Sequence, residues 1–147
     1  MWFSKKPSAQ AASQVTTTGA AGPTTKVRGD AAEEIALAYL QVAGLRLLER
    51  NFKTPGRGGG EIDLVMAAAD GTLVFVEVRQ RASAGHGGAG ASISAHKQRR
   101  IVFAARHYLM RYKTLPPCRF DVVLLEGLLV GTEAPKIEWL PGAFDAA

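Results

Sequence analysis

The sequence predicts a single α/β domain, and three observations lead to this fold class. The chain has 147 residues, of which 47% are hydrophobic, so it can bury the core of one domain but not of two. Two stretches rich in helix formers stand on either side of a group of short apolar runs that are typical of strands. The predicted order is therefore helix, three strands, helix, and then one or two strands.

Residues 1–27 differ from the rest of the chain in composition. They are rich in Ser, Thr, Ala, Gln and Gly and show no sustained apolar period. Such a segment cannot bury enough apolar surface to offset the entropy lost when it is ordered. We therefore predict a disordered tail over residues 1–27 and a folded domain over residues 28–147.

The first helix is predicted over residues 30–43, where helix formers dominate and Gly44 supplies a stop signal. Its expected buried stripe consists of Ala36, Leu37, Leu40 and Ala43. Glu33 lies at the N-terminal end of that stripe and should border the buried face. The alternative role for Glu33 is a favourable interaction with the helix N-terminus.

Acidic residues interrupt the two apolar strand patterns of a predicted hairpin. The segments in order are an extended stretch over residues 45–50, a glycine-rich loop over 53–60, the sequence GEIDLV at 60–65 and the sequence LVFVEVR at 73–79. Asp63 and Glu77 stand where packing alone would favour apolar side chains. They are the candidate metal-binding carboxylates, and the alternative is an exposed strand face with solvated charges.

The turn of the hairpin decides whether these two acids can meet, because directly opposed residues of an antiparallel pair share a face. A two-residue turn at 70–71 would pair Asp63 with Val78 and separate the carboxylates. A three-residue loop at 69–71 pairs Asp63 with Glu77 instead. That loop needs a left-handed residue last, and Gly71 suits the position. We predict the three-residue form.

The second half of the chain contains another loop, a long helix and one or two further strands. The predicted segments are the flexible loop over residues 82–91, the helix over 94–112, the strand over 120–125 and a short edge strand over 137–140 before a frayed terminus. Pro116 and Pro117 end the helical region.

The second helix carries Lys97 one turn before its expected buried stripe. That stripe consists of Ile101, Ala104, Ala105, Tyr108 and Tyr112. Lys97 can therefore point inward to the same site as Glu33. Another face of the helix repeats a basic residue every seven positions, at Arg99, Arg106 and Lys113. The alternative for Lys97 is a side chain that merely extends past the edge of the core to water.

The charge distribution favours a nucleic-acid partner. The net charge is +5, of which residues 1–28 contribute four positive charges, and the remaining body carries 14 basic and 13 acidic residues. Nine Lys or Arg residues occur from Arg79 to Arg119, with no acid between Glu77 and Asp121. A positive surface beside metal-holding carboxylates is the pattern that phosphodiester cleavage requires. The alternative is a solvated basic helix face.

Cysteine content and hydropathy bear on the compartment. Cys118 is the single cysteine of the sequence, which excludes an internal disulfide and a cysteine-based zinc site and fits a reducing compartment. No apolar run approaches the roughly 18 residues of a membrane span, and the N-terminus lacks the apolar stretch of a signal peptide. The sequence therefore predicts a soluble cytoplasmic protein with no membrane partner.

The motifs combine into one pattern over about residues 29–140, which is Gly29, Glu33, Ala36, Leu40, Gly44, Asn51, Gly60-Glu61-Ile62-Asp63-Leu64, Phe75-Val76-Glu77-Val78-Arg79, Lys97 and Arg119-Phe120-Asp121-Val122-Val123. This pattern resembles the YraN family of small bacterial proteins. That family looks like a branch of the PD-(D/E)XK nuclease superfamily and is similar in outline to archaeal Holliday junction resolvases. The resemblance implies a restriction-endonuclease-like core with a mixed central β-sheet flanked by helices.

The resemblance also implies roles for individual residues. The metal-binding acids of the superfamily fall on Asp63 and Glu77, and Glu33 matches the helix carboxylate of resolvase-like members. The lysine of the Glu-x-Lys motif falls on Arg79, which stays charged and can bind phosphate but cannot act as a base. Lys97 is the candidate to replace that lysine from the helix, and the alternative is that metal-bound water is acidic enough without a base.

The implied cofactor is Mg²⁺ or Mn²⁺, because carboxylate oxygens are hard ligands, and His86 in its glycine-rich loop is a poor ligand candidate. The implied partner is nucleic acid, with DNA favoured over RNA, and resolvase-like enzymes imply a homodimer. The residues expected to contact the nucleic-acid backbone without reading sequence are Lys53, Arg57, Arg81, Arg99 and Arg100.

These inferences lead to the hypothesis of a metal-dependent endonuclease, with branched DNA as a candidate substrate. Its catalytic residues would be Glu33, Asp63, Glu77, Arg79 and Lys97. One alternative is a nucleic-acid-binding or partner-binding module that has the nuclease-like fold without turnover, which Arg79 favours. The other is a structural interaction protein that uses the tail as a tether.

Overall fold

The computed structural model of the chain describes residues 25–81, 93–127 and 135–146, and in the first of these ranges it describes the side chains of residues 29–80. The predicted tail up to residue 24 and the predicted loop over residues 82–91 lie outside the described residues. No helix within the described ranges is both long and apolar enough to cross a membrane.

The described residues form two helices and one sheet of five strands. The elements are α1 (Thr25–Val42), β1 (Arg46–Lys53), β2 (Glu61–Ala67), β3 (Leu73–Arg81), α2 (Ala95–Leu109), β4 (Cys118–Glu126) and β5 (Lys136–Phe144). The strand order is β1-β2-β3-β4-β5, in which β3 and β4 are parallel and the other neighbours are antiparallel. The predicted α/β class with a mixed central sheet is confirmed.

Helix α1 ends as predicted but begins earlier. Gly44 has a φ of 107°, and its N–H donates to the Gln41 carbonyl while the Leu45 N–H donates to the Leu40 carbonyl, both at 3.0 Å. This pair of bonds closes the helix C-terminus around a left-handed glycine. The N-terminus lies at Thr25 rather than Asp30, because extending an existing helix adds one hydrogen bond per residue even where the composition is unremarkable.

The early start of α1 changes the interpretation of Glu33. This residue lies more than two turns after Thr25, and the favourable effect of the helix dipole is confined to the first turn. The alternative role of Glu33 at the helix N-terminus is therefore wrong. Glu33 is half-buried at the border of the packed face of α1, as predicted.

The two helices cover opposite faces of the sheet, because successive strand side chains point to alternate faces. The α1 side contains Ala36, Leu37 and Leu40 of the helix packed with Leu64, Met66, Val74, Val76, Val123 and Leu125. The α2 side contains Ile101, Ala104, Ala105 and Tyr108 of the helix packed with Val65, Ala67, Leu73, Phe75 and Phe120. Each fully buried aliphatic or aromatic side chain contributes about 1.5–3 kcal/mol to stability, so the sheet centre is the most stable part of the fold.

The β2–β3 hairpin has the predicted three-residue loop. The Ala68 N–H donates to the Thr72 carbonyl at 2.9 Å, and Gly71 adopts a φ of 93° as the last loop residue. Asp70 Oδ1 accepts the Thr72 N–H at 3.0 Å and braces the turn. This loop sets the register in which Leu64 pairs with Val76, and the two-residue turn that would separate Asp63 from Glu77 is not formed.

Three strands are longer than the sequence indicates. Strand β1 continues to Lys53, which pairs with Glu61. Strand β4 begins at Cys118, which pairs with Leu73 of β3. Strand β5 runs through Pro141 to Phe144, so the predicted frayed terminus after residue 140 is wrong. A proline fits there because β5 is an edge strand, where a backbone N–H can be missing without breaking a ladder bond.

Replacing Gly60 by alanine should destabilise the protein. A Cβ at this position would collide with the backbone carbonyl of Arg100 in α2, which cannot move aside as a flexible side chain would. We expect the free energy of unfolding to fall by about 1–3 kcal/mol. Gly29→Ala is the matched control, because Gly29 lies in α1 with no atom near its added Cβ, and it should gain roughly 0.5–1 kcal/mol. Urea unfolding measures both values, and equal stability of Gly60→Ala and wild type would contradict the packing described.

Candidate metal centre

Asp63 and Glu77 meet where strands β2 and β3 separate. The last backbone pair between the two strands joins Leu64 to Val76, so Asp63 and Glu77 are the next two opposed residues. The Val78 N–H then donates to Asp63 Oδ2 at 2.8 Å. The two strands thus part around a carboxylate, and both acids lie on the same side of the sheet, as predicted.

The two carboxyl groups share a hydrogen bond in a largely buried position, where Glu77 is 6% exposed. Burial raises the pKa of both groups, and the charge of Asp63 raises the pKa of Glu77 further. Two contacting carboxyl groups cannot both lose their protons without strong repulsion. The pair therefore retains a proton unless a cation compensates its charge.

Helix α2 brings a positive charge to this pair. Ser94 caps the helix by accepting the Lys97 N–H on its Oγ at 3.1 Å, which fixes Lys97 in the first turn. Lys97 Nζ lies 3.6 Å from Glu77 Oε2. The alternative in which Lys97 merely reaches past the core to water is therefore wrong. Arg79 follows Glu77 by two residues on the same strand face, and its charge counteracts the effect of burial on the pKa of Glu77.

Glu33 approaches from the α1 side of the sheet. Burial raises the pKa of Glu33 to about 7, and the nearby charge of Asp63 also raises it. A hydrogen bond from the Asn51 side chain opposes this shift, as does Arg50, whose Nη2 lies 3.8 Å from Glu33 Oε1. Glu33 Oε1 is buried and receives no hydrogen bond. Glu33 is therefore an acid near the pair but not part of it.

The three acids do not form one compact group. Among the residues that the structure describes, no set of three or more His, Cys, Asp or Glu side chains is placed to hold a metal ion. Asp63 and Glu77 meet as predicted, whereas Glu33 lies near them without completing a set of three. Glu33 comes from α1 on one face of the sheet and Lys97 comes from α2 on the other, and Arg50 of β1 lies 3.8 Å from the Glu33 carboxylate.

The donor set still fits a small divalent cation. Mg²⁺ is commonly bound by one or two carboxylates and keeps several of its waters, so Asp63 and Glu77 are sufficient as protein ligands. Both offer hard oxygen atoms, which suit Mg²⁺ or Mn²⁺ better than zinc. The unpaired Glu33 Oε1 supplies another acceptor close to Asp63. His86, the poor ligand candidate, lies outside the described residues.

Three of the residues predicted to contact nucleic acid lie in or beside the glycine-rich loop between β1 and β2. Lys53 and Arg100 line a cavity of about 180 Å³ beside this loop, and Arg57 is an exposed residue of the loop itself. Arg100 donates from Nε and Nη2 to the Gly59 carbonyl at 3.1 and 2.8 Å. Arg100 therefore holds the loop against α2, a structural role that the sequence interpretation did not include.

Arg99 belongs to a different surface from Lys97. It lines a groove of about 500 Å³ on the outer side of α2, together with Phe103 and Arg106. The predicted outward orientation of Arg99 and Arg106 is confirmed, since both are exposed. The side chain of Arg81 lies outside the described residues.

Arg50 and Asn51 are neighbours of the site to which the sequence analysis assigned no role. Arg50 Nη1 donates to Glu34 Oε2 at 2.7 Å in addition to its contact with Glu33. Asn51 has a φ of 53° within β1. One available signal was the residue type, since asparagine is among the few side chains that tolerate positive φ.

Stability of the metal-free protein should fall as the pH rises. The pKa of Glu77 is raised from its ordinary value of 4.5 to about 8 in the folded protein, so the folded state holds this proton more tightly than the unfolded state does. The resulting stabilisation is fully present below the unfolded-state pKa and is lost as the pH rises through the folded-state pKa. We expect the free energy of unfolding to drop by on the order of 2 kcal/mol between pH 5 and pH 9. Urea unfolding in EDTA measures this, and Glu77→Gln should flatten the profile. A profile of Glu77→Gln as steep as that of wild type would contradict the assignment.

A five-strand mixed sheet with one helix on each face, and two strand carboxylates beside a helix lysine, defines a restriction-endonuclease-like α/β domain. The chain belongs to the family described as Uncharacterised protein family UPF0102, whose model matches residues 32–125, more than half of the chain. This is the YraN family that the motifs indicated.

Curated relatives agree with this family assignment. The chain is similar to a UPF0102 protein of Polaromonas naphthalenivorans strain CJ2, with 68% identity over 153 residues and full coverage of both chains. A UPF0102 protein of Polaromonas sp. strain JS666 is 58% identical over 152 residues, again with full coverage of both. One from Albidiferax ferrireducens is 68% identical over 123 residues, which cover 84% of this chain and 91% of the relative.

Proposed function

We propose that this protein is a metal-dependent endonuclease that hydrolyses phosphodiester bonds in nucleic acid. The observation that carries the proposal is the contact between half-buried Asp63 and buried Glu77 where two strands part, with Lys97 Nζ 3.6 Å from Glu77 Oε2. Two acids in contact inside a sheet destabilise the fold when they ionise, so packing does not explain why acids occupy these two positions. Binding of a divalent cation would explain it.

The chemistry divides between the cation and the side chains of the chain. Mg²⁺ or Mn²⁺ bound to Asp63 and Glu77 would polarise the scissile phosphate and increase the acidity of the attacking water. Arg79 remains charged at every relevant pH, so it can bind a phosphate oxygen but cannot accept a proton. Lys97 Nζ, already beside Glu77, can donate a hydrogen bond to the same phosphate. Glu33 adds negative charge beside Asp63, which favours a cation at the pair.

The surroundings support nucleic acid as the substrate class. Lys53 ends β1 and Arg57 lies in the loop that leads into β2, the strand that carries Asp63. Their charges would bind phosphates of the backbone, which positions a substrate without reading its sequence. DNA, including branched DNA, and RNA share this backbone chemistry, and we favour DNA.

Cleavage assays with defined substrates test the proposal. The full chain is incubated with a four-way DNA junction, a flap, a linear duplex and single-stranded RNA, in Mg²⁺, Mn²⁺ or EDTA. We expect cleavage with either metal and none in EDTA. Lys97→Ala should lower the rate about 10- to 100-fold, while Arg106→Ala on the outer face of α2 should leave it unchanged. Absence of cleavage of every substrate in both metals would contradict the proposal.

The second candidate is a module that binds nucleic acid without turnover, and Arg79 is the observation that favours it. An arginine stands at the strand position where the superfamily has its lysine. If the protein is an enzyme that relies on Lys97, Arg79→Lys should cleave at least as well as wild type. If it is a binding module, wild type should bind the same DNA in a salt-sensitive manner and leave it intact.

A further inference from the structure

Asn51 has an unusual backbone conformation for its place in the fold. It is the one non-glycine residue with positive φ among the described residues, at 53°, and it lies inside strand β1. The flanking pairs, Arg50 with Leu64 and Phe52 with Ile62, keep the strand in register on both sides. The left-handed turn is therefore a local feature of one residue and not the end of a strand.

The register places Asn51 in line with the two acids of the metal centre. Because its neighbours pair with Leu64 and Ile62, Asn51 stands opposite Asp63. Asp63 in turn stands opposite Glu77 in the next strand. Three consecutive strands thus present Asn51, Asp63 and Glu77 at one level of the sheet.

Asn51 also reaches the acid of α1. A side-chain hydrogen bond from Asn51 lowers the pKa of Glu33 against the effect of burial, while the adjacent Arg50 lies 3.8 Å from Glu33 and 2.7 Å from Glu34. The carboxylate of Glu33 is thus held by two neighbouring residues of one edge strand. Of these, Asn51 is the one at the level of Asp63.

We propose that Asn51 is a positioning residue, which uses its left-handed backbone and its amide to hold the Glu33 carboxylate beside Asp63. The proposal rests on the proposed function for its effect on cleavage, but the contact between Asn51 and Glu33 does not. Asn51 touches no reacting atom in this account. It acts through Glu33, whose pKa the charge of Asp63 raises.

The competing explanation is that asparagine is present only because it tolerates positive φ. Glycine tolerates that conformation better than asparagine does, so Asn51→Gly separates the two roles. If only the backbone matters, the glycine variant should equal or exceed wild type in every measurement. If the amide positions Glu33, the glycine variant should lose the part of the stability and of kcat that depends on the position of the Glu33 carboxylate. Asn51→Asp keeps the size of the side chain but has no N–H to donate and adds a charge that repels Glu33, so it should lose at least as much as Asn51→Gly.

The experiment combines Asn51→Gly with Glu33→Ala in a double-mutant cycle. The urea midpoints of wild type, both single variants and the double variant are measured without metal at one pH. In the Glu33→Ala background, Asn51→Gly should raise the midpoint, because it relieves the backbone and loses no hydrogen bond. In the wild-type background the rise should be smaller or reversed. Equal shifts in both backgrounds would overturn the inference, whether or not the protein cleaves nucleic acid.

Kinetics then test the consequence for the site. Asn51→Gly should lower kcat about tenfold with KM changed less than twofold, since binding of the substrate backbone does not depend on Glu33. The double variant should be no slower than Glu33→Ala alone. Full kcat in Asn51→Gly, or losses that multiply in the double variant, would overturn the inference. If wild type does not cleave, the proposed function fails and the urea cycle alone decides the role of Asn51.

Discussion

Asp63→Asn and Glu77→Gln should each abolish metal-dependent cleavage, with a loss of about 1000-fold or more. Either change removes a charged ligand and keeps the shape of the side chain, so the loss corresponds to about 4 kcal/mol of transition-state stabilisation. Salt-sensitive binding of DNA should stay within a few fold of wild type, because it depends on Lys and Arg side chains. Single-turnover cleavage and binding titrations at two salt concentrations measure the two effects separately.

The matched control for these variants is Glu138→Gln, an exposed acid on β5. It changes the net charge by the same amount without touching the site, and it should cleave as wild type does. Both site variants should also be more stable than wild type at pH 8 in EDTA, since the repulsion within the pair is gone. Cleavage at the wild-type rate by the double variant Asp63→Asn/Glu77→Gln would refute the assignment of the site.

Asp121→Asn should cause the largest loss of stability of any change outside the site. Asp121 is fully buried and accepts hydrogen bonds from the Arg119 guanidinium, from Trp139 Nε1 at 2.9 Å and from the Gly142 N–H at 3.0 Å. An amide in its place has only one acceptor oxygen, and its NH₂ group would face N–H groups that now donate to the carboxylate. We expect a loss of about 2–4 kcal/mol in the free energy of unfolding.

Urea unfolding measures this loss, and Trp139 fluorescence reports it at the affected strand. The exposed Glu138→Gln variant should stay within about 0.5 kcal/mol of wild type. Cleavage per folded molecule should be unchanged in Asp121→Asn, because its network joins β4 to β5 and does not reach Glu77. A variant as stable as wild type would show that the hydrogen bonds of Asp121 do not hold β5 in place.

The hairpin and the helix stripes could be predicted because their causes are local. The pairing of Asp63 with Glu77 follows from the length of one turn and from Gly71 at its end. The stripe of Ile101, Ala104 and Tyr108 follows from helical spacing. In both cases the information lies within about fifteen residues of the chain, and the structure agrees with these predictions except at Ala43, which is exposed just after the end of α1.

Long-range partners could not be predicted in this way. Asp121 reads in the sequence as an acid near the start of an apolar strand, but its partners Trp139 and Gly142 come from the next strand. Arg100 reads as a basic surface residue, but a carbonyl group 41 positions earlier accepts both of its hydrogen bonds. These contacts depend on how the elements pack, which local periodicity does not contain.

The partners of Glu33 could not be predicted either, and the reason is the layering of the fold. A stripe on α1 shows that Glu33 borders the core, but not which face of the sheet α1 covers. The structure places α1 and α2 on opposite faces, and Arg50 of β1 lies 3.8 Å from the Glu33 carboxylate. Helical spacing contains neither of these facts.

Calorimetric titration of Mn²⁺ into the metal-free protein at pH 8 tests the central claim most directly. The account predicts one site per chain in wild type, weaker binding at pH 6 because the pair must lose a proton, and no measurable binding in Asp63→Asn. Glu138→Gln should bind as wild type does. Wild type that binds no Mn²⁺ at pH 8, or Asp63→Asn that binds it equally well, would contradict a metal centre at Asp63 and Glu77.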